Sequence, residues 1–185
     1  MPIEDDTPAA DEMIEVDLRN PAVAAAWAWV CPGAGHIYQR RYAKGILFMV
    51  CILTTWFVGL GLGGGHVVYA SWKKDDYRWQ YICQLGVGAS ALPAIVQSQR
   101  TKKGQKPLLD GWMAPPQNVV NYESPNDELA QWNLKYHSFF ELGTLYTMIA
   151  GLLNVLAIYD AYAGPMIVTT EEDSDKPPPD DPEDS

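Results

Sequence analysis

Few residues in this 185-residue chain combine a reactive side chain with a suggestive position. His36 and His66 invite a metal or haem, because imidazole is the commonest protein metal ligand. Each sits at the edge of an apolar run, and a membrane-crossing helix between them would hold them about 30 Å apart, too far to share one ion. Hydrogen bonding at an interface is therefore the plainer role for both, and His137 lies in a more polar stretch still. Asn154 and Asp160 interrupt the apolar run 142–160. Polar groups placed there are costly and either bond to another helix or line a polar path. Asn154 reads as the interhelical bonding partner, and Asp160 as the intramembrane polar candidate, with Glu141 at the opposite end of the same run. For an enzyme, the candidates reduce to His36 and Tyr38.

Gly59, Gly61, Gly63, Gly64 and Gly65 form a glycine-rich stretch, but no Lys-Ser/Thr pair follows to make a phosphate-binding loop. Gly59 with Gly63 and Gly61 with Gly65 are instead small residues four apart, a spacing that lets helix backbones approach closely in lipid. Gly86 with Ser90 and Ala157 with Ala161 repeat that spacing. Cys31, Cys51 and Cys83 stand singly in apolar surroundings, with neither a C-x-x-C pair nor zinc spacing. No catalytic, metal or cofactor set is expected from these patterns.

The elements that must position these residues follow from charge and hydropathy. Seven acidic residues lie in 1–19 and eight in 165–185, each stretch holding one basic residue, whereas 20–164 carries a net charge of +3. Both ends are expected to be disordered acidic tails, and 20–164 an all-α membrane domain. Residues 1–18 lack the basic and apolar regions of a cleavable signal peptide. Asn20-Pro21 is a helix-start signal. Four spans are expected, about 21–38, 45–63, 80–98 and 142–160, with three possible if Pro32-Gly33 turns the first segment back. A loop over 99–141 is expected to carry an amphipathic helix at about 125–139, started by Ser124-Pro125. Counting Lys and Arg, four spans put Arg40, Arg41 and Lys44 on the cytoplasmic side with Arg100, Lys102, Lys103, Lys106 and Lys135, and both tails outside. An overall acidic chain with small basic clusters beside apolar runs excludes a basic nucleic-acid binder.

Asn20, Pro21, Pro32, Gly33, Gly35, His36, Tyr38 and Gly45, with the intervening apolar helix and Arg40, Arg41 and Lys44, make a pattern that resembles the bacterial two-transmembrane-domain superfamily. That family has Gly two residues after the Tyr, and here Arg40 stands in its place, which predicts an altered turn. The remainder, notably Phe140 to Asn154 and on to Gly164-Pro165, resembles a domain-of-unknown-function family of small bacterial multi-pass membrane proteins. The resemblance implies an integral protein of the cytoplasmic membrane and no particular activity. The expected function is a non-enzymatic structural, scaffolding or accessory component whose partners are the bilayer and other membrane helices. A small transporter or channel using Asn154 and Asp160 is the alternative, and a membrane-embedded enzyme the third reading.

Overall fold

A computed structural model of the chain describes residues 20–73, 76–117 and 127–164. The acidic tails, Lys74-Asp75 and the expected helix start at Ser124-Pro125 lie outside the described residues. What is described is mostly helical. The helices are α1 (Pro21–Val30), α2 (Ala34–Tyr38), α3 (Tyr42–Leu62), α4 (Gln80–Gln84), α5 (Leu92–Lys102), α6 (Glu128–Tyr136) and α7 (Ser138–Ala163). Strands β1 (Trp72–Lys73) and β2 (Asp76–Tyr77) form a short antiparallel hairpin.

The axis of the fold is the antiparallel pair α3 and α7. Both are long and apolar enough to cross a membrane, at about 31 and 39 Å by the helical rise. Their crossing point is glycine on glycine: a Cβ on Gly59 would meet Gly143 O at 2.9 Å, and one on Gly143 would meet Gly59 O at 2.5 Å. The end where α3 begins and α7 finishes is the near end here, and the opposite end the far end.

Two of the four expected spans do not form single helices. Residues 21–38 are split where Pro32, which has no amide hydrogen to donate, meets Gly33 at φ +80°. α1 is capped by Asn20, whose Oδ1 accepts from Ala22 N at 3.0 Å and Val23 N at 3.4 Å. It descends from the near end, and α2 returns against it so closely that a Cβ on Gly35 would sit 2.2 Å from Ala24 O. Residues 80–98 are likewise broken. α4 leads into a 3-10 segment, Leu85–Ala91, interrupted at Gly88 (φ 85°, ψ −135°), and α5 then heads back to the far end with Pro93 in its first turn. Tyr81 Oη closes this second hairpin by donating to Ala91 O at 2.8 Å. Among the described residues there are therefore two full-length helices and two half-length hairpins that enter from opposite ends.

The far end is a layer built from the α3–β1 connection, the 103–117 segment and α6. Val67, Val68, Tyr69 and Ala70 are buried there, and their backbone carbonyls need donors. Arg78 Nη2 and Gln84 Nε2 both donate to Val67 O, at 2.9 and 3.2 Å, and also to Thr144 and Thr147 of α7. His66 stacks on Trp132 of α6 with ring centroids 4.4 Å apart. Gln97 of α5 donates to Leu108 O and Trp112 O, and Met113 N donates to Gly65 O, which ties α5 to this layer. The expected amphipathic helix is α6, started by Asp127, whose Oδ1 accepts from Leu129 N and Ala130 N.

This arrangement corrects the expected sidedness. Arg40, Arg41 and Lys44 lie at the near end, whereas Arg100, Lys102 and Lys103 end α5 at the far end, so the two basic clusters are not on one side. The reason is that 80–98 turns back instead of crossing.

Candidate functional site

At the near end, the polar residues that the sequence left apart come together. His36 of α2 donates from Nε2 to Asp160 Oδ2 of α7 at 2.6 Å, and Lys44 Nζ of α3 donates to Asp160 Oδ1 at 2.8 Å. The Arg41 guanidinium stands 3.9 Å from the same carboxylate, and Gln39 Nε2 donates to Ala161 O at 2.7 Å. His36 is fully buried, while the Asp160 side chain keeps 34% exposure. Four spans would put His36 and Asp160 at opposite ends; because only two of the four apolar runs form full-length helices among the described residues, α7 finishes where α2 and α3 meet.

The local physics of the cluster is that of a helix C-terminus. The last carbonyls of α7 lack intrahelical donors and carry partial negative charge. Gln39 supplies a donor, and Lys44 and Arg41 supply positive charge. The glycines of the 20–45 pattern let these groups converge. A Cβ on Gly33 would strike Gly45 O at 2.1 Å, and one on Gly45 would press Ile37 at 2.7 Å. Arg40 adopts φ +64°, the left-handed conformation that glycine accepts without strain. Tyr38 packs against the small cluster of Ala24, Ala28 and Ala161, and Phe48 meets the His36 ring edge-on at 5.0 Å.

A second constellation lies halfway along α7, where the hairpin tips meet. Asn154, fully buried, donates from Nδ2 to Ala28 O at 3.1 Å and to Gly86 O at 3.0 Å. Ala28 is in the last turn of α1, so its carbonyl is one of the orphans that a helix end leaves. One amide thus satisfies a carbonyl in each hairpin. Around it, Gly86 lies against Gly151 O, and a Cβ on Gly88 would overlap Trp29 O at 1.5 Å. The hairpin tips are in backbone contact.

The remaining expected packing residues divide. Gly59 and Gly86 meet α7, and Ala157 and Ala161 are buried. Ser90 is half-buried. Gly63 faces Val67 of its own connection, and Gly65, at φ +82°, lies under the Trp112 ring. Gly61 meets nothing within 4 Å. Sequence reasoning missed Gln39, Lys44, Arg78 and Gln84 as pinning residues. Gln84 and Arg78 carried a usable signal, since a polar side chain beside an apolar run needs a partner when buried.

His66 is half-buried beside Trp132, and its pKa is lowered below 6.5, chiefly by burial and then by Lys135, against a smaller opposing effect of Glu128. Among the described residues, no three His, Cys, Asp or Glu side chains group as a metal site. Chemically, the near-end cluster can hold α7 to α2 and α3, and the Asn154 cluster can hold the two hairpin tips together.

Residues 23–174 match a family of unknown function (DUF6677), and the chain belongs to it. Neither the curated proteins nor the solved structures give a match.

Proposed function

We propose that this member of the DUF6677 family is an integral membrane protein that works without catalysis, as a structural or accessory component of the cytoplasmic membrane. Two full spans, α3 and α7, and two hairpins that re-enter from opposite faces would form its membrane body. The observation that carries this reading is the apolar surface of the two long helices. In their most apolar windows only 28% and 33% of residues are buried, which is opposite to the core helix of a soluble protein. Leu47, Val50, Phe57, Leu152 and Leu156 are among the large side chains left exposed, up to 64% at Leu156. Surface of this extent needs lipid or other helices to cover it.

The polar groups support the same reading. Asp160, Asn154, Gln84 and Arg78 all bond across elements, and irregular backbone at membrane depth is tolerated where it is packed within protein. Of the described Lys and Arg, Lys73, Arg78, Arg100, Lys102, Lys103, Lys106 and Lys135 belong to the far end, against Arg40, Arg41 and Lys44 at the near end. Positive-inside then puts the far end in the cytoplasm and Asn20 and Gly164 outside.

Alkaline carbonate extraction and cysteine labelling of intact cells test this reading together. The chain is expected to stay in the membrane pellet. A membrane-impermeant maleimide is expected to reach a cysteine placed at Asn20 and to miss cysteines at Trp72 and Leu109, in a background without the native cysteines. Release of the chain into the supernatant overturns the membrane assignment, and labelling at Trp72 and Leu109 but not Asn20 overturns the orientation.

A transporter is the second reading, favoured by one feature. Opposed re-entrant hairpins meeting at mid-depth place backbone carbonyls where transporters bind substrate. Flux through proteoliposomes that Asn154→Leu abolishes would replace the accessory role with this one.

A further inference from the structure

The far end holds a groove of about 490 Å³ between the start of α7, α6 and the β2–α4 junction. Its lining is divided by polarity. Arg78, Asn133 and Glu141 stand on the polar part, and Leu145 and Met148 continue from it down the apolar face of α7. Arg78 is only 8% exposed, its Nη2 donates to Val67 O and Thr144 Oγ1, and among the described side chains, which do not include those of Asp75 and Asp76, it makes no ion pair. Its charge rests on the Tyr69 and Phe140 rings, 4.4 and 5.5 Å away, and its Nε has no hydrogen-bond partner. A buried guanidinium without an anion is costly. Glu141, on the first turn of α7, lines the same groove and is exposed, but lies beyond ion-pair distance of Arg78.

A cation and an anion that share a groove without meeting fit a ligand carrying both charges. Trp72, Tyr77 and Trp79, each about half exposed, surround this end as aromatic residues do at the headgroup level of a bilayer. From this charge complementarity we infer that the groove binds a phospholipid with a primary-amine headgroup. Its phosphate pairs with Arg78, its ammonium with Glu141, and one acyl chain lies along Leu145 and Met148. The inference rests on the membrane reading above.

Native mass spectrometry of the full chain in mild detergent tests it, with phosphatidylethanolamine, phosphatidylglycerol and phosphatidylcholine of identical acyl chains in competition. The ethanolamine lipid is expected to be retained roughly tenfold better than the glycerol lipid, the scale of one hydrogen bond to a charged group. Glu141 is exposed, so Glu141→Gln leaves the fold intact and is expected to bring that ratio near one, while Glu141→Lys reverses it. Equal retention by the unaltered chain, or a preference that survives Glu141→Gln, overturns the inference. A chain that stays in the carbonate pellet but selects no lipid sinks this proposal alone; one that leaves the pellet sinks the membrane reading as well.

Discussion

Replacing Asn154 with leucine tests whether one side chain holds both hairpins. The substitution keeps the branched heavy-atom skeleton and removes the two Nδ2 bonds, to Ala28 O at 3.1 Å and Gly86 O at 3.0 Å. Each buried carbonyl left without its donor costs about 1–2 kcal/mol, with double-mutant values in membrane helices nearer 0.6. The loss of Asn154 Oδ1, a buried acceptor with no partner, returns on the order of 1 kcal/mol. The net expectation is a destabilisation of about 1–3 kcal/mol, felt at the tips first. Two readouts follow it: the midpoint of a dodecyl sulfate titration by circular dichroism, and the maleimide labelling rate of native Cys31 at the first hairpin's turn. If labelling requires the tips to open, that energy speeds it roughly 5- to 150-fold. A variant with an unchanged midpoint and Cys31 labelling within about twofold of the parent would refute the clamp.

Four further outcomes are expected. Gly88→Ala should be the more damaging change, by about 3 kcal/mol or more, because it adds a Cβ at φ +85° that overlaps Trp29 O; thermal unfolding measures it. Asp160→Asn should loosen α2 and the start of α3 by about 1–2 kcal/mol, a figure held down by the solvent that reaches the carboxylate, and trypsin should cut faster at Arg40 and Arg41. Arg40→Gly should stabilise the chain by about 1 kcal/mol by relieving a left-handed non-glycine residue, read as a raised unfolding midpoint. Acidification should weaken the far end. His66 binds protons less readily folded than unfolded, so its contribution is full above the unfolded value of 6.5 and falls as pH drops through 6.5 towards the lower folded value. Tryptophan fluorescence from Trp132 should report this, and His66→Phe should flatten the profile.

The physical basis of the two hairpins explains how much was legible beforehand. The chain's apolar runs announce helices, and the 45–63 and 142–160 runs correspond to α3 and α7 because neither holds a proline or another residue that stops a helix. Asn20-Pro21 starts α1 through purely local capping, which sequence also shows. Residues 21–38 and 80–98 pass the same length and composition test, but Pro32-Gly33 and Gly88 fold them back. A glycine between apolar residues does not declare whether its φ is positive; at Gly88 the approach of Trp29 O decides it, from a residue 59 positions earlier in the chain.

The near-end site shows the same division. The residue types of the 20–45 pattern and the cost of a carboxylate near apolar surroundings were set by sequence alone, and so was the need of Asp160 for a partner. Which partner it finds depends on how many of the four apolar runs form full-length helices. With four full-length helices Asp160 would end opposite His36; with two, α7 finishes beside α2 and α3, and the carboxylate meets His36, Lys44 and Arg41. Composition and periodicity determine which segments are helical and apolar, because those are properties of neighbours along the chain. The pairing of Asp160 with His36 and of Asn154 with both hairpin tips joins residues more than 60 positions apart, so only the tertiary fold decides it.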